Sequence, residues 1–435
     1  GVVSRRLGVK EEAEKRREME SELLQLSYYH GLIAREDVPS LLKKPFAFLV
    51  RMTEPKEDGK RAAVISVMNN KTNEPKDKRF NHFMINADDG KYSLGAKYGD
   101  HWFDSVHRLC LNYETQEITD GNRNGVKVLL QYPAARLSWE LEHNQVQLGT
   151  ALGQGAFGEV YKGTFLLPNS GRPVAVAVKS CKLANMNKDS IKKFMCEARL
   201  MRLLDYPNVV KGFGVAVLEE PLYIVMEFAN QGSLDGYLQK NHVSLTSKHS
   251  MILQGSWGVE YLHSRSIIHR DLAARNCLYG DNRVKIADFG LSRLAKEYKM
   301  DKMRMPIRTL APEIFKNGIF TNKSDVWAYG VMCWEIFNDA IMPYPSMKNP
   351  DQVVEAIKKG YRLPLSSIGL KNDIVKLIHE IWSEDPSARP TMREVSVRLE
   401  YIQGVTRPAE NVILAPGAKN GMSPLSSSVS FVGLN

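Results

Sequence analysis

The octapeptide HRDLAARN, His269 to Asn276, is followed by DFG at Asp288 to Gly290 and preceded by LGQGAFGEV at Leu152 to Val160. Each of these is a modest signal by itself. A lone HRD or DFG triplet fits ordinary turn chemistry, and the spacing of Gly153, Gly155 and Gly158 also occurs in dinucleotide-binding folds. That fold needs a helix directly after the glycines and an acidic residue about 20 positions on. Here EVYKGTF alternates like a strand, and the apolar run PVAVAVK ends on Lys179. Strand, glycine turn and strand describe a flap over a nucleotide. The glycines let backbone N–H groups approach phosphate oxygens with no Cβ in the way.

In this order the motifs resemble those of a protein kinase. The resemblance runs from Val146 to about Gln403 and includes Glu197 in IKKFMCEARLMRLL, APE at Ala311 to Glu313, Asp325 and Arg389. It implies a bilobal fold, a strand-rich lobe followed by a helical one. Lys179 would hold α- and β-phosphate oxygens of ATP while Glu197 orients its ammonium. Asp271 would accept or orient the proton of the substrate hydroxyl. Asn276 and Asp288 would supply oxygens to Mg²⁺, with Mn²⁺ the other candidate ion. The nucleotide would lie against Leu152, Gly153, Gln154, Gly155, Phe157, Gly158, Val160, Ala177, Lys179, Met226, Glu227, Ala229 and Leu278. Met226 matches the gatekeeper, and Glu227 and Ala229 would offer backbone groups to adenine.

Kinases that act on Ser or Thr usually place a Lys two positions after the catalytic Asp. The run Leu272-Ala273-Ala274-Arg275 instead resembles the protein-tyrosine kinases, so tyrosine is the expected acceptor. The same resemblance puts Arg275 near the transferring phosphoryl or the ring. PIRTLAPE departs from the usual PIRW or PVKW by placing Thr309 at the Trp position, which bears on peptide-groove packing and not on phosphate chemistry. Tyr298, between DFG and APE, is the expected autophosphorylation switch, with Arg270 as a phosphate partner. Glu313 and Arg389 match a family ion pair, and Asp325 matches the residue that braces the catalytic loop.

FLVR at Phe48 to Arg51, with YYHG at residues 28–31 before it and His82 in NHFMI after it, resembles an SH2 domain over roughly residues 28–118. An Arg buried on a central strand is costly unless it meets a dianion, and phosphotyrosine supplies one bidentately. Arg51 is that candidate. Arg35 and Thr53 match supporting positions, His82 matches one that shapes the phosphotyrosine pocket, and Lys56, Lys60 and Arg61 are candidates for added charge. Phe46 stands where many SH2 domains carry Gly. Met84 stands where many have a polar or basic residue, so an apolar surface is expected beyond the phosphotyrosine. The local pattern calls for a helix over Ala34 to Lys44 and strands at AFLVRM, AAVISVM, FNHFMI and KYSL. A second helix is expected over HWFDSVHRLCLNY, with Phe103, Val106, Cys110 and Tyr113 on one stripe. The layout is α+β, a small antiparallel sheet flanked by two helices.

The whole chain of 435 residues exceeds one ordinary domain. Residues 1–27 read as a charged, solvated helix, 28–118 as the SH2 domain and 119–144 as a linker, from the Gly, Asn and Pro of ITDGNRNGVKVLLQYPAAR. Residues 145–403 read as the kinase domain and 404–435 as a flexible tail. Hydrophobic residues at 43% and charged residues at 25% exclude wholesale disorder. Five scattered cysteines with no CxxC pair argue against a disulfide framework or a structural zinc and fit a reducing, cytoplasmic setting. No apolar run of about 18 residues exists to cross a bilayer, so a soluble chain is expected, with peripheral recruitment to the plasma membrane left open. The net charge of +10 suits nucleic acid, anionic lipid or phosphorylated partners. With no aromatic-basic reader motif, no nucleic-acid partner is expected.

An SH2 domain followed directly by a tyrosine kinase resembles most the Fes/Fer branch of non-receptor, cytoplasmic tyrosine kinases. That branch usually carries an N-terminal F-BAR region, expected here to be absent or cut off. The resemblance implies protein tyrosine substrates, phosphotyrosine-containing partners recruited through the SH2 domain, and an SH2 domain packed on the glycine-flap lobe in support of Glu197. The rival is a pseudokinase scaffold that reads phosphotyrosine without chemistry, and the presence of Lys179, Asp271, Asn276 and Asp288 argues against it.

Overall fold

AFLVRM and AVISVM form β1 (Ala47–Met52) and β2 (Ala63–Met68), paired antiparallel with Arg51 opposite Val64. β3 (Phe80–Met84) continues the sheet beside β2, and β4 (Asn86–Asp88) and β5 (Lys91–Ser93) form a separate hairpin. The computed structural model describes residue 14 and residues 17–53, 61–71, 73–119, 127–154, 158–186, 188–300 and 306–408. All of β1 is buried because its alternating side chains serve two cores. Ala47 and Leu49 pack with Val38 and Leu42 on one face. Phe48, Val50 and Met52 share the other with Val106, Leu109, Cys110 and Tyr113.

The first helix is shorter than its pattern suggests. A 3-10 turn, Arg35–Asp37, leads into α1 (Val38–Leu41), and Leu42 is already extended at φ −97°, ψ 110°. Lys44 precedes Pro45, and the residue before a proline is driven out of the helical region, so the helix cannot reach Lys44. α2 (Val106–Thr115) starts later than expected because Ser105 caps it, its hydroxyl accepting from Arg108 N at 3.0 Å. Phe103 instead bridges Tyr92, and Leu109 takes its place on the buried stripe.

Two flanking segments take part in the packing. Within residues 119–144, Val128, Leu129 and Leu130 are buried and β6 (Tyr132–Pro133) pairs parallel with β1. The sheet is therefore mixed, with a proline tolerated because it sits on an edge. The apolar VKVLL run inside the supposed linker is what drives this. The charged helix near the start is not solvated all round. In the helical residues 17–24, Leu23 is fully buried and Glu22 Oε1 accepts from Val106 N at 2.7 Å, capping α2.

The second module opens with five antiparallel strands, β7 (Val146–Gln154), β8 (Glu159–Leu166), β9 (Pro173–Cys181), β10 (Gly212–Ala216) and β11 (Leu222–Glu227), in the order β10-β11-β9-β8-β7. α3 (Lys188–Met201) packs on β10. A helical lobe follows: α4 (Leu234–Lys240), α5 (Leu245–Ser264), α6 (Pro312–Asn317), α7 (Asn322–Phe337), α8 (Pro350–Lys358), α9 (Asn372–Ile381) and α10 (Met392–Gln403). α7 is buried on every side from Ser324 to Phe337, in keeping with its mostly apolar sequence.

The two modules touch. Leu32 N donates to Val217 O at 2.9 Å, and a Cβ on Gly31 would sit 2.1 Å from that same oxygen. Asp37 meets Arg199 and Arg202, Arg61 meets Glu220 at 3.3 Å, and the Arg202 guanidinium stacks 3.6 Å from the Trp139 ring. His30 Nδ1 lies 2.6 Å from Glu140 Oε1.

Candidate active site

β9 carries Lys179 inward and α3 carries Glu197 to meet it, with Lys179 Nζ 2.8 Å from each oxygen of the Glu197 carboxylate. Both are buried, at 8% and 2% exposed. Burial disfavours the ammonium, but the carboxylates of Glu197 and Asp288 outweigh it and hold Lys179 above the usual lysine range. Asp288 acts on Asp271 as well, so its charge reaches both lobes.

The loop holding Asp271 is fixed from beneath. Buried Asp325, in the first turn of α7, accepts from His269 N at 2.7 Å and Arg270 N at 2.9 Å. His269 Nε2 donates to Ala287 O at 2.8 Å, and its Nδ1 accepts from Asp271 N at 3.2 Å, an assignment that follows from the partners. One imidazole thus sets the spacing between Asp271 and the strand end before Asp288. Arg270 and Asp288 both adopt left-handed backbone, φ 71° and 57°, a strained state that the surrounding contacts hold in place.

Around Asp271, Arg275 Nη2 donates to Oδ1 at 2.5 Å and Asn276 Nδ2 donates to the Asp271 carbonyl at 2.8 Å. Burial raises the Asp271 carboxyl above the usual range, against the lowering effects of Arg275, His269 and Asn276.

Leu152, Gly153 and Gln154 end β7, all exposed, with Gly153 opposite Val160 on β8. Gly155 and Phe157 lie outside the described residues, and Gly158 begins the return. Ala177 and Met226 are cross-strand partners on β9 and β11. Glu227 N donates to Lys211 O at 2.9 Å, so any backbone group it offers a base is its carbonyl. Leu278, on the Cys277–Gly280 strand, bridges Ser233 just beyond Ala229.

Tyr298 sits on a short strand, Glu297–Lys299, paired with Ile319–Thr321. Its ring lies 4.3 Å from the Arg270 guanidinium and 4.9 Å from that of Arg293. Arg389 is held by Glu313 through two bonds of 2.8 Å. Thr309 is buried, its hydroxyl donating to Pro306 O at 3.1 Å, and Arg308 ties the segment to the carbonyls of Pro343, Tyr344 and Met347. The segment is anchored without a Trp.

A second polar site lies on the first module. Arg51, 7% exposed, donates through Nε to Ser66 Oγ at 3.0 Å, and Ser66 Oγ is 2.8 Å from His82 Nδ1. Burial, then the Arg35 and Arg51 cations, push His82 down to about 4, so at neutral pH the ring is uncharged. Thr53 Oγ1 accepts from Ala62 N at 3.0 Å and closes the end of β1. Lys56 and Lys60 lie outside the described residues, whereas Arg61 is engaged with Glu220 across the module contact. Phe46, at φ 66°, adopts the left-handed turn that Gly would take more cheaply, and its N–H donates to Met68 O at 2.7 Å. Sequence reasoning missed Ser66, although a lone polar residue inside AVISVM was the available signal. It also missed Asp37, Arg199 and Arg202, whose pairing no local pattern announces.

Comparison with known proteins bears on both sites. Residues 146–399 match the family described as protein tyrosine and serine/threonine kinase, and residues 28–113 match the SH2 domain. The chain is 35% identical over 390 residues to human tyrosine-protein kinase Fer, covering 88% of this chain and 45% of that protein. It is 34% identical over 375 residues to Fer-related kinase 1 of Caenorhabditis elegans, covering 86% of this chain and 92% of the relative. With the tyrosine-protein kinase transforming protein Fps of avian sarcoma virus (strain PRCII) it shares 35% over 387 residues, 87% of this chain and 68% of the viral protein. The chain thus spans less than half the length of human Fer.

Proposed function

The chain belongs to the SH2-containing Fer/Fps family of protein-tyrosine kinases, and from that membership we propose that it transfers the γ-phosphoryl of ATP to tyrosine hydroxyls of proteins. The observation that carries this reading is the Lys179–Glu197 contact, two bonds of 2.8 Å, with Asp288 acting on both Lys179 and Asp271. It supports one site shared by a triphosphate and an acceptor. Lys179 would grip the phosphates, and Asp271 would orient the phenol and take its proton. Arg275, seated on the Asp271 carboxylate, would lie near the transferring group or the phenol ring. The glycine flap, Ala177, Met226, Ala229 and Leu278 would enclose the base.

Protein kinases use ATP with a divalent metal, and Mg²⁺ is our assignment. Asn276 and Asp288 would hold it: with Nδ2 of Asn276 committed to the Asp271 carbonyl, the side-chain oxygens of the two residues are the hard donors such an ion would take. When bound, the ion neutralises charge on the phosphates. Positioning and electrostatics, more than covalent chemistry by the protein, then lower the barrier.

Arg51, Ser66, Thr53, Arg35 and His82 would bind phosphotyrosine and bring the kinase to phosphorylated partners in the cytoplasm, including those at the plasma membrane. No described helix is long and apolar enough to cross a membrane. Short-tether recruitment reaches local concentrations of about mM, which offsets a weak peptide groove. Phosphoamino-acid analysis of a phosphorylated protein mixture tests the acceptor. Phosphotyrosine alone is expected, and phosphoserine or phosphothreonine as the main product would refute the assignment.

A further inference from the structure

Glu335 lies in the last turn of α7, is 7% exposed and has no part in the chemistry above. Its Oε2 accepts the Ala274 N–H at 2.9 Å. Ala274 opens the 3-10 turn Ala274–Asn276, which carries the Arg275 whose guanidinium rests on Asp271. Burial pushes the Glu335 carboxyl up to about 7; the Ala274 N–H and Arg275 pull it down, and Asp235 and Asp271 add repulsion. A carboxylate buried among the apolar side chains at this end of α7 is a liability that a Leu of similar size would avoid. What the carboxylate adds is a fixed acceptor for one backbone N–H of the loop.

We propose that Glu335 is a positioning residue for phosphoryl transfer: it fixes the Ala274–Asn276 turn through the Ala274 N–H and keeps Arg275 at the Asp271 carboxylate, so that the acceptor hydroxyl meets Asp271 in one orientation. This rests on the reading of Asp271 as the group that meets the hydroxyl. A misplacement of about 1 Å at such a group costs on the order of 100-fold in rate.

The test compares the full chain with Glu335→Leu and Glu335→Gln by two readouts. The first is amide hydrogen exchange over residues 272–276. The second is steady-state kinetics with ATP and a poly-Glu/Tyr copolymer, expressed per mole of sites that bind a fluorescent ATP analogue, so that misfolded protein is not counted. Glu335→Leu is expected to speed exchange in the turn and to lower kcat about tenfold or more, with the KM for ATP within about twofold of wild type. Glu335→Gln keeps an acceptor oxygen and is expected to recover most of the protection and part of kcat. Unchanged exchange in Glu335→Leu, or kcat per site equal to wild type in both variants, overturns the proposal. A wild-type chain that transfers no phosphate refutes the kinase reading instead, and the exchange comparison still decides whether Glu335 holds the turn.

Discussion

Asp37 grips Arg199 through two bonds, 2.6 Å to Nε and 3.1 Å to Nη2, and Arg199 stands two residues along α3 from Glu197. Two residues are 200° of helical rotation, so these side chains leave opposite faces. The SH2 module therefore holds one side of α3 while Lys179 holds the other. Arg202, one turn on from Arg199, adds a third bond to Asp37 at 3.1 Å.

Asp37→Asn should loosen this grip without touching either binding site. Asp37 is 4% exposed, and bonds of this charge-assisted kind contribute about 1.5–3 kcal/mol each when well buried. The Arg199 side chain is a third exposed, which places the effect at the lower end. Peptide phosphorylation should fall roughly threefold to tenfold, with phosphopeptide affinity within about twofold of wild type. Steady-state kinetics and calorimetry on the same protein check both.

Gly31→Ala attacks the same contact by sterics. Gly31 is at φ 58°, and its Cβ would stand 2.1 Å from the backbone oxygen of Val217, which cannot retreat like a flexible side chain. The modules should separate. Small-angle scattering should show a larger radius of gyration, and kinase activity should drop at least as far as in Asp37→Asn.

Much of this arrangement could be anticipated, and the failures have identifiable causes. The strands of the first sheet announce themselves because AFLVRM and AVISVM are short apolar runs bounded by turns. The Lys179–Glu197 pair follows from the motif order and is formed. The apolar spacing of Val38, Leu41 and Leu42 suggests a longer first helix than Pro45 allows. The buried run at Val128 to Leu130 was hidden between Gly and Pro. Gly31, Asp37, Arg199 and Glu335 were not anticipated because each owes its role to a surface that exists only after folding.

The pocket around Arg51 should respond to pH with a defined sign. His82 is depressed from 6.5 to about 4, so the folded chain binds fewer protons there than the unfolded one. The stability this contributes is complete above pH 6.5 and is lost as the pH falls toward about 4. A bound phosphotyrosine dianion offsets the Arg35 and Arg51 cations, so the His82 midpoint should rise on adding phosphopeptide, which an NMR titration of the imidazole reports. Ser66→Ala removes the hydroxyl that accepts from the Arg51 Nε and should weaken phosphopeptide binding about tenfold.

The Tyr298 ring already lies 4.3 Å from the Arg270 guanidinium and 4.9 Å from that of Arg293, so a phosphate on it would have two cations near at hand. Incubation with ATP should raise the initial rate of the wild-type chain. In Arg293→Ala the gain should shrink at least threefold, as initial rates before and after incubation will report.

The most direct test of phosphoryl transfer itself is label incorporation from γ-³²P-ATP into poly-Glu/Tyr by the wild-type chain and by Asp271→Asn, matched for nucleotide binding. The wild type should incorporate label, and the variant should lose on the order of 100-fold or more of that rate while binding nucleotide normally. Equal incorporation by the two proteins would contradict the role given to Asp271.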